Sequence, residues 1–162
     1  MWFVPYTLHV KAVLFILVGL SLGVAAAATG PVQIVLPATR YKAHERIPAR
    51  VVNTGKEPVT FCVEFGQTSR KDGEVESTPI PFWVESYGNG RWGTLMIGPD
   101  MGRGEFPVML EPGKSQEFGF RLNGTGTMRL RLLYWRGAFP DLDCQKPPKG
   151  AKRVTSSTFV LE

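Results

Sequence analysis

The sequence predicts an all-β domain, a two-sheet sandwich or barrel of about seven to nine short antiparallel strands. Three observations carry this. Apolar and polar residues alternate with period two in several runs, most clearly in Val59–Phe65 and Thr127–Trp135. Turn-forming residues separate those runs, with 18 glycines and 13 prolines spread along the chain. Beyond the N-terminal segment, no stretch keeps helical periodicity for more than about two turns. The chain has 162 residues, 43% hydrophobic and 20% charged. That is one globular domain's worth of protein, and it excludes a disordered, collagen-like or coiled-coil chain.

Residues 1–28 read as a cleaved leader. Lys11 precedes the apolar run Ala12–Val24, and Ala25–Ala28 follow before Thr29. A cation, an apolar stretch of about 13 residues and a small-x-small site form the secretory signal pattern, with cleavage expected after Ala28. The run is shorter than the roughly 20 residues of a membrane span, so no stable span is expected after cleavage. Met1–Val10 is more aromatic than a typical leading segment, and a start at Val10 would give a compact leader. Removing 28 residues from 162 leaves a domain of 134, residues 29–162. Lys11 is the only charged residue removed from 19 basic and 14 acidic, so the domain keeps 18 basic against 14 acidic, a net charge of +4. The expected location is the periplasm or the exterior. Basic residues that are not clustered on a helix exclude nucleic acid as a partner and leave another envelope or secreted protein.

The elements follow in order. Val32–Leu36 is a strand stopped by Pro37, and Ala49–Asn53 the next, closed by a turn at Thr54–Pro58. In Val59–Phe65 the odd positions Val59, Phe61, Val63 and Phe65 share one face, and Thr60, Cys62 and Glu64 the other. Gly66–Ser77 is polar and expected as a loop. Ile80–Ser86 and Arg91–Ile97 are expected as a hairpin, because Asn89-Gly90 accepts positive φ at both central turn positions. Gly98–Gly104 is a loop. Glu105–Leu110 contains Pro107, which places it at a sheet edge. Glu111–Lys114 is a proline-initiated turn. Ser115–Leu122 is a strand and Asn123–Gly126 a turn. Thr127–Trp135 is the longest strand. Met128, Leu130, Leu132 and Tyr134 face one way; Arg129, Arg131, Leu133 and Trp135 face the other. Gly137–Lys152 is a long basic loop, and Val154–Leu161 closes the fold.

A set of turn motifs carries a family resemblance. Asn53-Thr54-Gly55-Lys56-Glu57-Pro58-Val59 forms an "asparagine, small, x, x, proline, valine" turn. Trp92 stands mid-chain, Leu110-Glu111-Pro112-Gly113 is a "leucine, x, proline, glycine" turn, and Gly126-Thr127-Met128-Arg129 opens the long strand. Over residues Val32–Leu161 the chain resembles small extracytoplasmic bacterial immunoglobulin-like modules. It is more loosely similar to a bacterial proteinase inhibitor family built on the same sandwich. Met128 stands where the pattern often has tyrosine, and Gly137–Lys152 with Cys144 is an insert outside it. The resemblance implies an immunoglobulin-like antiparallel β-sandwich; it does not imply a function.

The chemistry in the chain points away from catalysis. His44 is the single histidine of the domain and lies in a charged segment, with no nucleophile elbow elsewhere. Asp141 and Asp143 read as turn formers. Asp72, Glu74 and Glu76 lack the spacing of a calcium loop. Met96, Met101, Met109 and Met128 read as packing residues rather than copper ligands. Two cysteines and one histidine fall short of a zinc set. No cofactor or metal is therefore expected. Cys62 and Cys144 are expected to form a disulfide, since an exported chain lives where bridges persist. The bridge would clip the final loop onto the outside of a sheet. Arg129, Arg131 and Trp135, with Arg121 on an expected neighbouring strand, are the candidate binding residues, because arginine and tryptophan are enriched at hot spots. The competing reading tucks Trp135 under the final loop. Trp83 and Trp92 are expected in the core. The resulting expectation is an exported, non-catalytic domain for protein binding or a structural role. The alternatives are a secreted proteinase inhibitor acting through Gly98–Gly104 or Gly137–Lys152, and a carbohydrate-binding module using Trp135 or Trp83.

Overall fold

The computed structural model describes residues 30–69, 71–95, 105–146 and 148–162. The expected leader and the Gly98–Gly104 loop lie outside the described residues. Twelve strands occur among those described: β1 Val32–Val35, β2 Arg40–Tyr41, β3 Arg46–Asn53, β4 Val59–Ser69, β5 Val75–Ile80, β6 Trp83–Gly88, β7 Arg91–Leu95, β8 Phe106–Leu110, β9 Ser115–Arg121, β10 Gly126–Arg136, β11 Lys152–Thr155 and β12 Phe159–Leu161. One sheet has the order β1-β3-β9; the other runs β2-β12-β10-β4-β5, with β6 and β11 also on β10, β7 on β6 and β8 on β4. Every pairing is antiparallel except β2 with β12. This is the antiparallel β-sandwich expected from the sequence, with twelve strands among the described residues where about seven to nine were expected.

Alternation builds the core. Val59, Phe61 and Val63 of β4, Ile47, Ala49 and Val51 of β3, and Leu130 and Leu132 of β10 are fully shielded from solvent. Phe118 and Phe120 of β9 add aromatic bulk, Phe118 meeting Phe61 and Phe82 edge to face. Four expectations need correction. The polar segment Gly66–Ser77 is mostly a hairpin: β4 continues to Ser69 and β5 begins at Val75, because backbone pairing tolerates polar side chains at a surface. Ile80–Ser86 is two strands, not one. Pro81 lacks an amide donor, and the chain leaves β4 there to join β10 as β6. Val154–Leu161 is also two strands: at Ser156 the hydroxyl accepts from the Leu130 amide at 2.9 Å, replacing a ladder carbonyl. Trp83 and Trp92 are not in the core. Val84 takes the inward position of β6, which turns Trp83, Glu85 and Tyr87 outward.

The expected hairpin turn is present, with φ of 51° at Asn89 and 75° at Gly90. The two turn motifs of the resemblance meet in space. Asn53 is fully buried. Its Nδ2 donates to the carbonyls of Glu57 at 2.9 Å and Leu110 at 2.8 Å, and its Oδ1 accepts from the Gly55 amide at 3.0 Å. Its backbone amide donates to Lys114 and its carbonyl accepts from Gly113. Gly55 is required by close approach: a Cβ there would lie 2.8 Å from the Pro31 Cβ.

Asn53→Asp keeps the shape and the acceptor but removes both side-chain donors. The buried Leu110 carbonyl and the half-buried Glu57 carbonyl then face a carboxylate. The expected loss is about 2–4 kcal/mol, mostly from the one to three kcal/mol of the fully buried group, and Asn53→Ala should lose a similar amount. Urea denaturation checks this; a loss under about 0.5 kcal/mol would show that the turns hold without Asn53.

Candidate functional site

The outward face of β7, β6 and β10 gathers a chain of aromatic and charged groups. β10 presents Arg129 and Arg131, β6 presents Trp83, Glu85 and Tyr87, and β7 presents Trp92, since Arg129 is registered opposite Glu85, Arg131 opposite Trp83 and Tyr87 opposite Trp92. Cross-strand partners in one register lie close enough for their side chains to touch. The Tyr87 and Trp92 rings are 5.2 Å apart. The Arg129 guanidinium carbon sits 4.1 Å from the Trp92 ring centroid, and that of Arg131 5.4 Å from the Trp83 centroid. Glu85 is buried between the arginines, accepting from Arg129 Nε at 2.7 Å and lying 3.1 Å from Arg131 Nη1. The result is a row: Tyr87, Trp92, Arg129, Glu85, Arg131, Trp83. Its interior is held by ion pairs, and its ends stay open: Trp83 is 43% and Tyr87 50% exposed. Arg153 of β11 continues the face, two strand positions from Thr155, which is opposite Arg131.

The other expected face residues lie elsewhere. Trp135 is on the outward side of β10 but buried beneath the final loop with Leu142 and Cys144, and its indole Nε1 donates to the Pro148 carbonyl at 3.1 Å. Arg121 belongs to β9, which pairs with β3 and not with β10. It is paired with Glu76 at 3.3 Å and donates to the His44 carbonyl at 2.9 Å. Sequence reasoning named Trp83 only for the carbohydrate alternative and missed Glu85, Tyr87 and Trp92, because Pro79 and Pro81 just ahead of β6 obscure its phase. The signal available was Val84 between Trp83 and Glu85, an apolar residue flanked by two that suit the outside.

The Cys62–Cys144 disulfide is present, with the Cα atoms 5.7 Å apart. It ties the final loop to the outward side of β4, as the alternation of Val59–Phe65 predicts. Thr60 adds to the clip: its hydroxyl donates to the Gly137 carbonyl at 2.9 Å and accepts from the Phe139 amide at 3.1 Å. Glu105 lies beside the bridge, its carboxylate within 4.8 Å of both sulfurs. Both sulfurs are consumed in the bridge, so this grouping offers no thiolate to a metal. Burial, with the charges of Glu64 and Asp143 nearby, pushes the Glu105 carboxyl above its ordinary value. Asp143 itself accepts from the Gln145 and Lys146 amides, a turn-forming role. Asp72 accepts from the Glu74 amide in the β4–β5 turn, and Glu76 reaches Arg121. Met109 is exposed on β8 and Met128 is in the core; Met96 and Met101 lie outside the described residues. Among the described residues no helix is long and apolar enough to cross a membrane.

No family model matches the chain, and no curated protein matches it. Among solved structures the chain is similar to the Salmonella enterica SafA pilin in complex with the SafB chaperone, at 15% identity and a TM-score of 0.34, covering 83% of this chain and 56% of that one. It therefore spans little more than half the length of that solved chain. It is also similar to AvmM, which catalyses macrocyclization in alchivemycin A biosynthesis, at 14% identity and a TM-score of 0.33, covering 80% and 87%. A third similarity is to the ASH/PapD-like domain 7 of human CEP192, at 11% identity and a TM-score of 0.31, covering 86% and 91%.

Two outcomes follow for the disulfide corner. Replacing both cysteines with alanine should cost about 2–4 kcal/mol, the usual range for a bridge closing a long loop, and should shift tryptophan emission to the red as Trp135 meets water. An unchanged emission maximum would show that the loop is held without the bridge. Glu105→Gln should raise Tm at pH 7. A carboxyl raised above its unfolded value favours the fold only while protonated, so the native chain loses that support as pH rises through the raised value, and the glutamine variant does not. Below the ordinary carboxyl value of 4.5 the two should converge. Calorimetry at pH 7 and pH 3.5 checks it; equal Tm at both would remove the strain from Glu105.

Proposed function

We propose that this chain is an exported, non-catalytic immunoglobulin-like domain that binds another envelope or secreted protein through the outward face of β6, β7 and β10. The leader reading of residues 1–28 supports export, and a bridge between its only two cysteines suits an oxidising compartment. One observation carries the binding reading. Glu85 holds two arginines rigidly against two tryptophans on an open sheet face, so the groups that favour protein hot spots are ordered before any partner arrives. The face also carries excess positive charge: among its described residues Arg129, Arg131 and Arg153 stand against one acid, Glu85. That favours an acidic partner surface and a fast, salt-sensitive approach.

A second reading rests on the exposure of Trp83 and Tyr87, which sit four residues apart on one strand and so about 13 Å apart. Flat aromatic groups at that spacing could stack on sugar rings. The arginine cover over Trp83 favours the protein reading.

The test avoids Arg129 and Arg131, since reversing either would strand buried Glu85. The tagged full chain is expressed, its mass is measured, and it is used to capture partners from the native envelope fraction beside a Trp83→Ser/Arg153→Glu variant. The expected result is a mass beginning at Thr29 and one partner retained by the native chain and lost by the variant. Retention of residues 1–28 would sink export. Equal capture by the variant would sink the face, and capture competed by free glycans would transfer the face to the carbohydrate reading.

A further inference from the structure

The arginine row has a neighbour of opposite sign, and Trp83 belongs to both. On the arginine side, Arg131 lies over its ring, with Arg129 beyond. Trp83 also lines a recess of about 40 Å³ with Cys62, Glu64, Ile80, Pro81, Phe82 and Glu105. Among the described residues neither Glu64 nor Glu105 forms an ion pair. Asp143 adds a third negative charge near Glu105. Two carboxylates thus converge on a small, largely apolar hollow with no counter-charge among its described lining residues.

The chemistry of the walls selects the occupant. An ammonium is a compact point charge that two separate carboxylates can share, whereas a guanidinium fork is matched to the paired oxygens of one. Ile80, Pro81 and Phe82 offer the apolar surface that a lysine stem covers while its charge reaches a polar partner. Calcium would need six to eight oxygens, which two carboxylates between apolar walls do not supply. A polyanionic glycan would satisfy the arginines and be repelled by Glu64 and Glu105.

We propose that Trp83 divides a two-sign docking surface, whose occupant is a polypeptide segment presenting a carboxylate to Arg129, Arg131 and Arg153 and an adjacent lysine to the recess between Glu64 and Glu105. This rests on the protein-binding reading and adds the partner's charge pattern and direction. A partner of one sign is met by repulsion on one half, so the surface also discriminates against the wrong orientation.

The test uses ¹⁵N-labelled protein purified from cells expressing the full chain. It is titrated with capped glycine-spaced peptides carrying aspartate and lysine, aspartate alone or lysine alone, and followed by NMR. The aspartate–lysine peptide should shift the Trp83 indole and the Cys62, Ile80 and Phe82 resonances. It should bind about fivefold more tightly than the aspartate peptide, or ~1 kcal/mol at 1.4 kcal/mol per tenfold. Glu64→Gln/Glu105→Gln keeps the shape of the recess, and should reduce the aspartate–lysine peptide to the affinity of the aspartate peptide without changing the latter. If the two peptides bind equally to the native chain, the proposal falls and the arginine face stands alone. If calcium alone saturates the recess resonances, the recess is a metal site and the proposal falls. If only a sulfated polysaccharide shifts the Trp83 indole, both the proposal and the protein-binding reading fall. Absence of any shift with all three peptides overturns the proposal likewise.

Discussion

Buried Asn53 is the joint on which the two sheets depend. It is the last residue of β3, in the three-stranded sheet, yet its amide group holds the carbonyl of Leu110, the last residue of β8 in the other sheet. The same amide holds the Glu57 carbonyl in the turn that launches β4. A sandwich core is non-directional: apolar faces attract without fixing which residue meets which. Directional bonds from one buried side chain supply the missing register. β4 leaves that turn at Val59 and pairs at once with the end of β10, Val59 opposite Arg136 and Thr60 opposite Trp135. The placement of β10, and with it the outward row of side chains, therefore follows from Asn53.

β10 then does two kinds of work on its two sides. Its inward residues Met128, Leu130, Leu132 and Tyr134 fill the core. Its outward side is divided. The first half carries Arg129 and Arg131 beside β6; the second half carries Trp135 beneath a loop that the disulfide holds down. Covering Trp135 leaves the charged half as the accessible surface. Glu85 gives that half its order. A single carboxylate buried beside two guanidinium groups is satisfied by both, and the arginines in turn lie on tryptophan rings instead of sampling rotamers in water. The side-chain entropy that binding would otherwise cost has been removed during folding.

Much of this frame was legible in the sequence because it is set by local rules. The phase of Thr127–Trp135, the inward and outward faces of Val59–Phe65, the Asn89-Gly90 turn and the outward position of Cys62 all follow from period-two alternation and turn chemistry. The candidate site was less legible, because it depends on which strand lies beside which. Arg121 and Arg129 look alike in sequence, each in an alternating strand after a turn. They separate only because β9 pairs with β3 while β10 pairs with β6. Trp135 looked like a member of the open face because no local rule says that a loop with three prolines folds back over it. Trp83 and Trp92 looked like core residues because tryptophan usually is, and because Pro79 and Pro81 obscured where β6 begins.

The break at Pro81 has a consequence beyond topology. Had β5 and β6 formed one continuous strand, Trp83 would have stayed on the edge of β4, away from β10. The missing amide donor lets the chain cross instead, and the crossing residues Pro81 and Phe82, with Ile80 at the end of β5, line the hollow beside Glu64 and Glu105. The same crossing delivers Trp83 opposite Arg131. One backbone discontinuity thus creates both the acidic hollow and the aromatic end of the basic row, and sets them side by side. Opposite charges held apart on one rigid surface do not collapse onto each other, because each is tied to a different strand. Glu64 belongs to β4, while Arg131 is already engaged by Glu85. The separation of sign is therefore a property of the fold.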